Sequence, residues 1–99
     1  MEITKEYKEK EVKINIDGRI DTYTSPDLEN AINDELNKYE SIKLNFENVE
    51  YISSAGLRVL IVTQKQAIKD GFEFTICNVN ETVNKIFQMS KLDKILNIQ

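Results

Sequence analysis

The sequence predicts one α/β domain over residues 1–99, with a mixed, largely parallel sheet of four to five strands and three to four helices. Three observations lead to this prediction. Short segments alternate apolar with polar residues, the segments between them repeat apolar residues at helical spacing, and the connections are short. Strands separated by helices pair in parallel through right-handed crossovers, and a hairpin at the N-terminus adds an antiparallel edge.

The hairpin comes first in the chain. A weak alternation over residues 3–7 is followed by a turn at Lys8–Lys10 and by a clear alternation over residues 12–16, where Val and Ile take every second position. A period of two is typical of a strand with one buried face. We expect this second strand to end at Asp17-Gly18.

The first helix is predicted to begin at Ser25-Pro26-Asp27. Ser25 is a suitable N-cap, Pro26 fits the first helical position, and Asp27 suits the positive end of the helix dipole. Apolar residues then recur at helical spacing over residues 28–39. The next strand covers residues 42–46, and residues 47–52 are predicted to be a connection.

A second helix is predicted to begin at Ser53 or Ser54 and to end at Asp70-Gly71. A further strand follows over residues 72–76, and Asn80 is a suitable cap for a third helix. The tail is predicted to dock as a fourth short helix or a terminal strand. The inner face of the second helix is predicted to carry Leu57, Leu60, Ile61 and Ile68.

Composition excludes several classes of function. Seventeen acidic residues against 13 basic ones give a net charge of -4, which disfavours nucleic acids and anionic membrane surfaces as partners. The chain has no His, so it cannot build a Ser-His-Asp or Cys-His nucleophile. Its one cysteine, Cys77, is predicted to be a packed strand thiol. We therefore expect no catalytic residues, no metal and no cofactor.

The same sequence contains no candidate targeting or membrane segment. Residues 1–10 are charged and do not resemble a signal peptide, and the longest uninterrupted apolar stretch, Val59–Val62, is too short to insert in a bilayer. We expect a cytoplasmic protein.

The most unusual local sequence is Tyr51–Leu57, which joins a strand to a helix start through Ser53, Ser54, Ala55 and Gly56. The first turn of a helix leaves backbone N–H groups without partners and carries about half a positive charge, so an anion is stabilised there. A serine at this place is well suited to carry a phosphate. The alternative is an ordinary N-cap serine, because Ser is among the commonest residues at that position.

The order of short motifs resembles the STAS domain family, and in particular the single-domain bacterial anti-sigma factor antagonists. Gly18–Asp21 is similar to the segment after the family's second strand, residues 44–52 to the strand before its motif loop, and Ser53–Leu57 to its Asp-Ser-Ser/Thr-Gly-Leu signature. Val83, Ile86-Phe87 and Ser90 resemble its third helix and the following turn. Three positions depart from the pattern: Ser53 replaces the acid, Ala55 replaces a Ser or Thr, and Lys91 stands where a Gly often follows.

The resemblance implies a STAS-like fold and a phosphorylated serine. The acceptor would be Ser54, with Ser53 as a second candidate, and the partner would be an anti-sigma factor that is also a serine kinase. A phosphatase would reverse the modification. Asp21 matches a family residue near the acceptor, although an Asp in such a connection also forms turns. The surface predicted to bind the partner consists of Asp21, Tyr23, Thr24, Ser53, Ser54, Ala55, Gly56 and Arg58.

Three functions remain in competition at this point. The first is a binding module, not an enzyme, which phosphorylation releases from its partner. The second is a STAS scaffold or subunit of a transporter or signalling complex that is never phosphorylated. The third, a small-molecule binder or hydrolase using the same turn, lacks a His, a metal cluster and a Gly-rich phosphate loop.

Overall fold

Four strands form one mixed sheet in the order β1-β2-β3-β4 in a computed structural model that describes residues 1–99. β1 and β2 are antiparallel, whereas β2 and β3 pair in parallel, as do β3 and β4. The predicted fold class is confirmed. The elements are β1 Glu2–Lys8, β2 Glu11–Ile20, α1 Ser25–Asn33, β3 Ser41–Ile52, α2 Ser54–Asp70, β4 Glu73–Cys77, α3 Glu81–Met89 and a short 3-10 helix, Leu92–Lys94.

Both central strands are longer than the sequence predicted. β2 continues past Gly18 to Ile20, and the predicted connection 47–52 is the second half of β3. Register shifts opposite Asn15–Asp17 and Gly18–Arg19 leave extra residues on β3. The buried side chains of β3 therefore stop alternating after Phe46 and continue at Val49 and Ile52. A bulge of this kind interrupts the period-two pattern without ending the pairing, so the alternation was lost while the strand went on.

One apolar core lies between the sheet and the helices. It contains 20 buried residues, contributed by β2, β3, β4, the three α-helices and the C-terminal segment. The inner face of α2 runs through Leu60, Thr63 and Ala67. Ile68 is 74% exposed, so its predicted place on that face was wrong. It follows Ala67 by one residue and is therefore turned about 100° around the helix.

The helix ends follow local sequence chemistry with one exception. Asn80 caps α3, accepting a hydrogen bond of 2.8 Å from the Val83 N–H, and Gly71 ends α2 with a φ of 77°. The predicted cap at Ser25 was wrong, because Ser25 is a buried residue of the first turn of α1. Thr24 occupies the N-cap position without a capping bond from its side chain. The helices are too short or too polar to serve as membrane-spanning segments.

The tail combines both predicted alternatives in short form. A 3-10 turn is followed by a single parallel bridge between Ile98 and Ile76 on the free edge of β4. Lys91, which stands at the family's frequent glycine position, has a φ of 62°. That left-handed conformation suits glycine and costs other residues roughly 1–2 kcal/mol.

A buried carboxylate joins β1 to the segment that follows α1. Glu35 is 4% exposed and accepts hydrogen bonds of 2.7 Å from both the Lys5 ammonium and the Tyr7 hydroxyl. Burial raises the pKa of Glu35, but the bonds from Lys5 and Tyr7 outweigh it and hold that pKa below its ordinary value. The hydrogen bond to Glu35 also raises the pKa of the Tyr7 hydroxyl to about 12.

Candidate functional site

The candidate site lies where β2 and β3 end side by side at one edge of the sheet. Ile20 and Ile52 are paired at these carboxyl ends, and the Ser53 N–H donates a hydrogen bond of 2.8 Å to the Ile20 carbonyl oxygen. One strand leads into α1 and the other into α2. Parallel pairing therefore brings the first turns of two helices to the same edge, which is the usual place for sites in parallel sheets.

Ser53 is used by the fold itself. It is the N-cap of α2, with extended backbone, and its Oγ accepts a hydrogen bond of 3.5 Å from the Gly56 N–H. Its carbonyl oxygen accepts the first helical bond, 2.9 Å from the Leu57 N–H. Capping satisfies one of the backbone N–H groups that a helix start leaves without a partner.

Ser54 stands in contrast to its neighbour. It is the first residue of α2, its side chain is exposed, and its hydroxyl makes no hydrogen bond within the protein. It lines a groove of about 320 Å³ between α1 and α2. The residues around this groove are Ser25, Pro26, Glu29, Ser54, Ala55, Arg58, Val59 and Val62. The turn therefore offers one free hydroxyl that a docking protein can reach.

Gly56 is buried and faces the sheet. A Cβ atom at this position would lie 2.6 Å from Ile20 Cγ2 and 2.6 Å from Ile52 Cγ1. Carbon atoms in ordinary van der Waals contact are about 3.5–4.0 Å apart, so only glycine lets the helix approach this closely. Gly56 was predicted to belong to the partner surface; the structure corrects this, because the residue is buried between α2 and the sheet.

Asp21 organises the connection between β2 and α1. Its Oδ1 accepts hydrogen bonds from the Tyr23 N–H at 2.9 Å and the Thr24 N–H at 3.0 Å. The bond from the Thr24 N–H, with further help from Tyr23 and the nearby Arg19, lowers the pKa of Asp21 below its ordinary value, although partial desolvation opposes the shift. This is an Asx-type turn, the structural alternative that the sequence left open.

The remaining predicted residues differ in how far they face solvent. Tyr23 is 90% exposed at the tip of the Asp21 turn, and Arg58 is exposed in the groove beside Ser54. Thr24 is half-buried, and its hydroxyl donates a 2.8 Å bond to the Arg19 carbonyl oxygen. Ala55 is half-buried and lines the groove.

Sequence reasoning missed the α1 side of the groove. Pro26 and Glu29 line it from α1, and Val62, which is 54% exposed, extends it along α2. The parallel crossover was the available signal, since it places the two helix starts side by side. A second omission is the pair Arg19 and Tyr51, in which the guanidinium carbon lies 4.7 Å from the ring centroid beside the same strand ends.

The chain matches known proteins along its whole length. The STAS domain model matches residues 2–99. The "Anti-sigma-B factor antagonist" of Staphylococcus aureus is 29% identical over 99 residues, covering 99% of this chain and 90% of that protein. The Bacillus subtilis protein of the same name is 28% identical over 90 residues, covering 91% of this chain and 83% of the relative.

Solved structures show the same fold. A putative anti-sigma factor antagonist from Thermotoga maritima superposes with a TM-score of 0.89 at 22% identity, covering 97% of this chain and 84% of the other. The family model, the relatives and the fold agree along the chain from β1 to the tail. This chain is a member of the STAS domain family.

Proposed function

We propose that this protein is an anti-sigma factor antagonist, a binding protein that sequesters an anti-sigma factor. The relatives with this name are matched over nearly the whole chain. The chemistry of the turn also favours binding over catalysis, because the Ser54 hydroxyl has no hydrogen-bonded base and the sequence contains no His.

The proposed switch is phosphorylation of Ser54 by the partner, an anti-sigma factor with serine kinase activity. The observation that carries this proposal is the pair of adjacent hydroxyls with opposite roles: Ser53 is engaged as a cap, and Ser54 is exposed and free. A kinase needs an acceptor that it can surround without unfolding the substrate, and the exposed Ser54 meets that need better than the half-buried Ser53.

The first turn of α2 can also carry a phosphorylated Ser54 without unfolding. A phosphate adds about -1.5 to -2 charge, and the first turn of a helix stabilises negative charge. The free protein can therefore keep its fold after modification. At the interface with a partner, the same charge would have to lose its water, and a hundredfold loss of affinity requires only about 2.7 kcal/mol.

The proposed docking surface surrounds the acceptor. It consists of the exposed or half-buried members of the predicted set, with the α1 side of the groove added: Asp21, Tyr23, Thr24, Ser53, Ser54, Ala55, Arg58, Pro26 and Glu29. A phosphatase would restore binding by removing the phosphate. These components would act together in the cytoplasm.

A mapping experiment tests the acceptor. The protein is incubated with its anti-sigma kinase and ATP, and phosphate is located by mass spectrometry in the wild type and in Ser54→Ala and Ser53→Ala. We expect one phosphate on Ser54, no phosphate in Ser54→Ala, and continued labelling in Ser53→Ala. Label on another residue, or a fully labelled Ser54→Ala variant, would refute the assignment.

The departure at Ser53 supports a second candidate, a STAS scaffold or complex subunit that is not phosphorylated. The family signature has an acid at this position, and Ser53 cannot supply its charge. If that charge is required by the kinase, Ser53→Asp will be labelled faster than the wild type. An unlabelled Ser53→Asp variant that still binds its partner would favour the scaffold.

A further inference from the structure

The guanidinium of Arg58 has no bonding partner within the protein and lies in the same groove as Ser54. The residue is exposed, lines the same groove as Ser54, and takes part in none of the ion pairs or side-chain hydrogen bonds of the protein. The other arginine, Arg19, is instead placed over the Tyr51 ring. A free guanidinium in a groove is a candidate for binding an anion that arrives later.

Helix geometry brings Arg58 close to Ser54. The two residues are four positions apart on α2, and residues at this spacing are neighbours on a helix surface. Helical side chains also point back toward the N-terminus, so a residue covers the turn before its own Cα. The Arg58 side chain can therefore reach the turn that carries Ser54, and both residues line the same groove.

The opposite wall of the groove carries the opposite charge. Glu29 lines it from α1, across from the α2 residues Ser54 and Arg58. A phosphate on Ser54 would be attracted toward Arg58 and repelled by Glu29. A guanidinium suits phosphate because its planar N–H groups can form two parallel hydrogen bonds to the phosphate oxygens.

We propose that Arg58 binds the phosphate of phosphorylated Ser54 and holds it against α2 within the groove. This inference rests on the proposed function for the presence of the phosphate. In the unmodified protein the guanidinium is available to a docking partner, and in the modified protein the phosphate occupies it. Phosphorylation then acts twice, by adding negative charge and by withdrawing a cation from the binding surface.

The test uses protein in which phosphoserine is installed at residue 54 during translation, so no kinase is required. The second pKa of the phosphate, ordinarily about 6, is followed by phosphorus NMR as a function of pH. An adjacent cation favours the dianion, so we expect this pKa in Arg58→Gln to be higher than in the wild type by about 0.5 or more. Arg58→Lys should restore part of the difference, because it keeps the charge and loses the two-bond geometry.

Two further variants serve as controls: one should lower the phosphate pKa and the other should leave it unchanged. Glu29→Gln removes the repelling charge and should lower the phosphate pKa. Lys65→Gln removes an exposed cation elsewhere on α2 and should leave it unchanged. A phosphate pKa that is equal in the wild type and Arg58→Gln, or that moves as much in Lys65→Gln, would overturn the proposal. Because the phosphate is installed without the kinase, either result is independent of whether the kinase labels Ser54.

Discussion

The first turns of α1 and α2 have similar sequences but differ in whether a hydroxyl group is exposed and free. Each follows the end of a parallel strand, and each begins with two adjacent hydroxyl residues, Thr24-Ser25 and Ser53-Ser54. In α1, the Thr24 hydroxyl is bonded within the Asp21 turn and Ser25 is buried. In α2, Ser53 caps the helix while Ser54 is exposed and free.

The difference shows that packing decides which hydroxyl is available. Gly56 faces the sheet and lets α2 lie directly against Ile20 and Ile52. Ser54 is two residues earlier, which places it about 200° around the helix and so on the outer side. In α1 the residue that turns inward is Ser25 itself. The same pair of residue types therefore gives a buried helix start in one case and a modifiable one in the other.

The largest expected loss of stability comes from a side chain added at Gly56, where α2 packs directly against the sheet. Gly56→Ala should destabilise the domain by about 2–3 kcal/mol, because the new methyl group would overlap two buried isoleucines. Chemical denaturation measures this loss. The control is Gly71→Ala, which has open space around it but a φ of 77° and should cost only about 1 kcal/mol. Equal losses in the two variants would contradict the role of close packing.

A smaller effect separates the two serines of α2. Ser53→Ala should cost about 0.5–1 kcal/mol, at the low end for a cap because its hydrogen bond is long at 3.5 Å. Ser54→Ala should stay within about 0.5 kcal/mol of the wild type, as is usual for surface substitutions. Denaturation curves of the two variants decide this. A larger loss in Ser54→Ala would show that its hydroxyl supports the fold.

The smallest expected change in folding stability comes from Asp21, and it depends on pH. Its lowered pKa means that the ionised form stabilises the folded state fully above the ordinary value of 3.8. This stabilisation is lost as the pH falls from 3.8 through the lower pKa of the folded state. Asp21→Asn keeps the acceptor oxygen and cannot titrate in this range. Its stability should therefore fall less than that of the wild type between about pH 5 and pH 2.

Glu35 contributes to the same acid range in both proteins, because its pKa is also lowered. The difference between the wild type and Asp21→Asn removes this shared contribution. Thermal unfolding across the pH range measures it. Parallel curves for the two proteins would mean that the Asp21 carboxylate does not stabilise the turn.

The sequence was sufficient for the order of elements and for the serine turn, since both depend on local patterns. It failed where tertiary packing overrides those patterns. The extra residues of β3 between Asn45 and Asn48 and between Val49 and Tyr51 hid the second half of that strand, and Ile68 matched a helical period without facing the core. The exposure of Ser54 and the α1 side of the groove depend on how two helices meet, which local spacing does not encode.

Negative charge at the free hydroxyl of α2 is expected to prevent partner binding. Calorimetry with the anti-sigma factor tests it directly, using the wild type, Ser54→Asp and Ser54→Asn, because the last two differ in charge and hardly in shape. We predict that Ser54→Asp binds at least about 100-fold more weakly, a difference of about 2.7 kcal/mol, and that Ser54→Asn stays near the wild type. Equal binding by Ser54→Asp and Ser54→Asn would show that charge at residue 54 does not control partner binding.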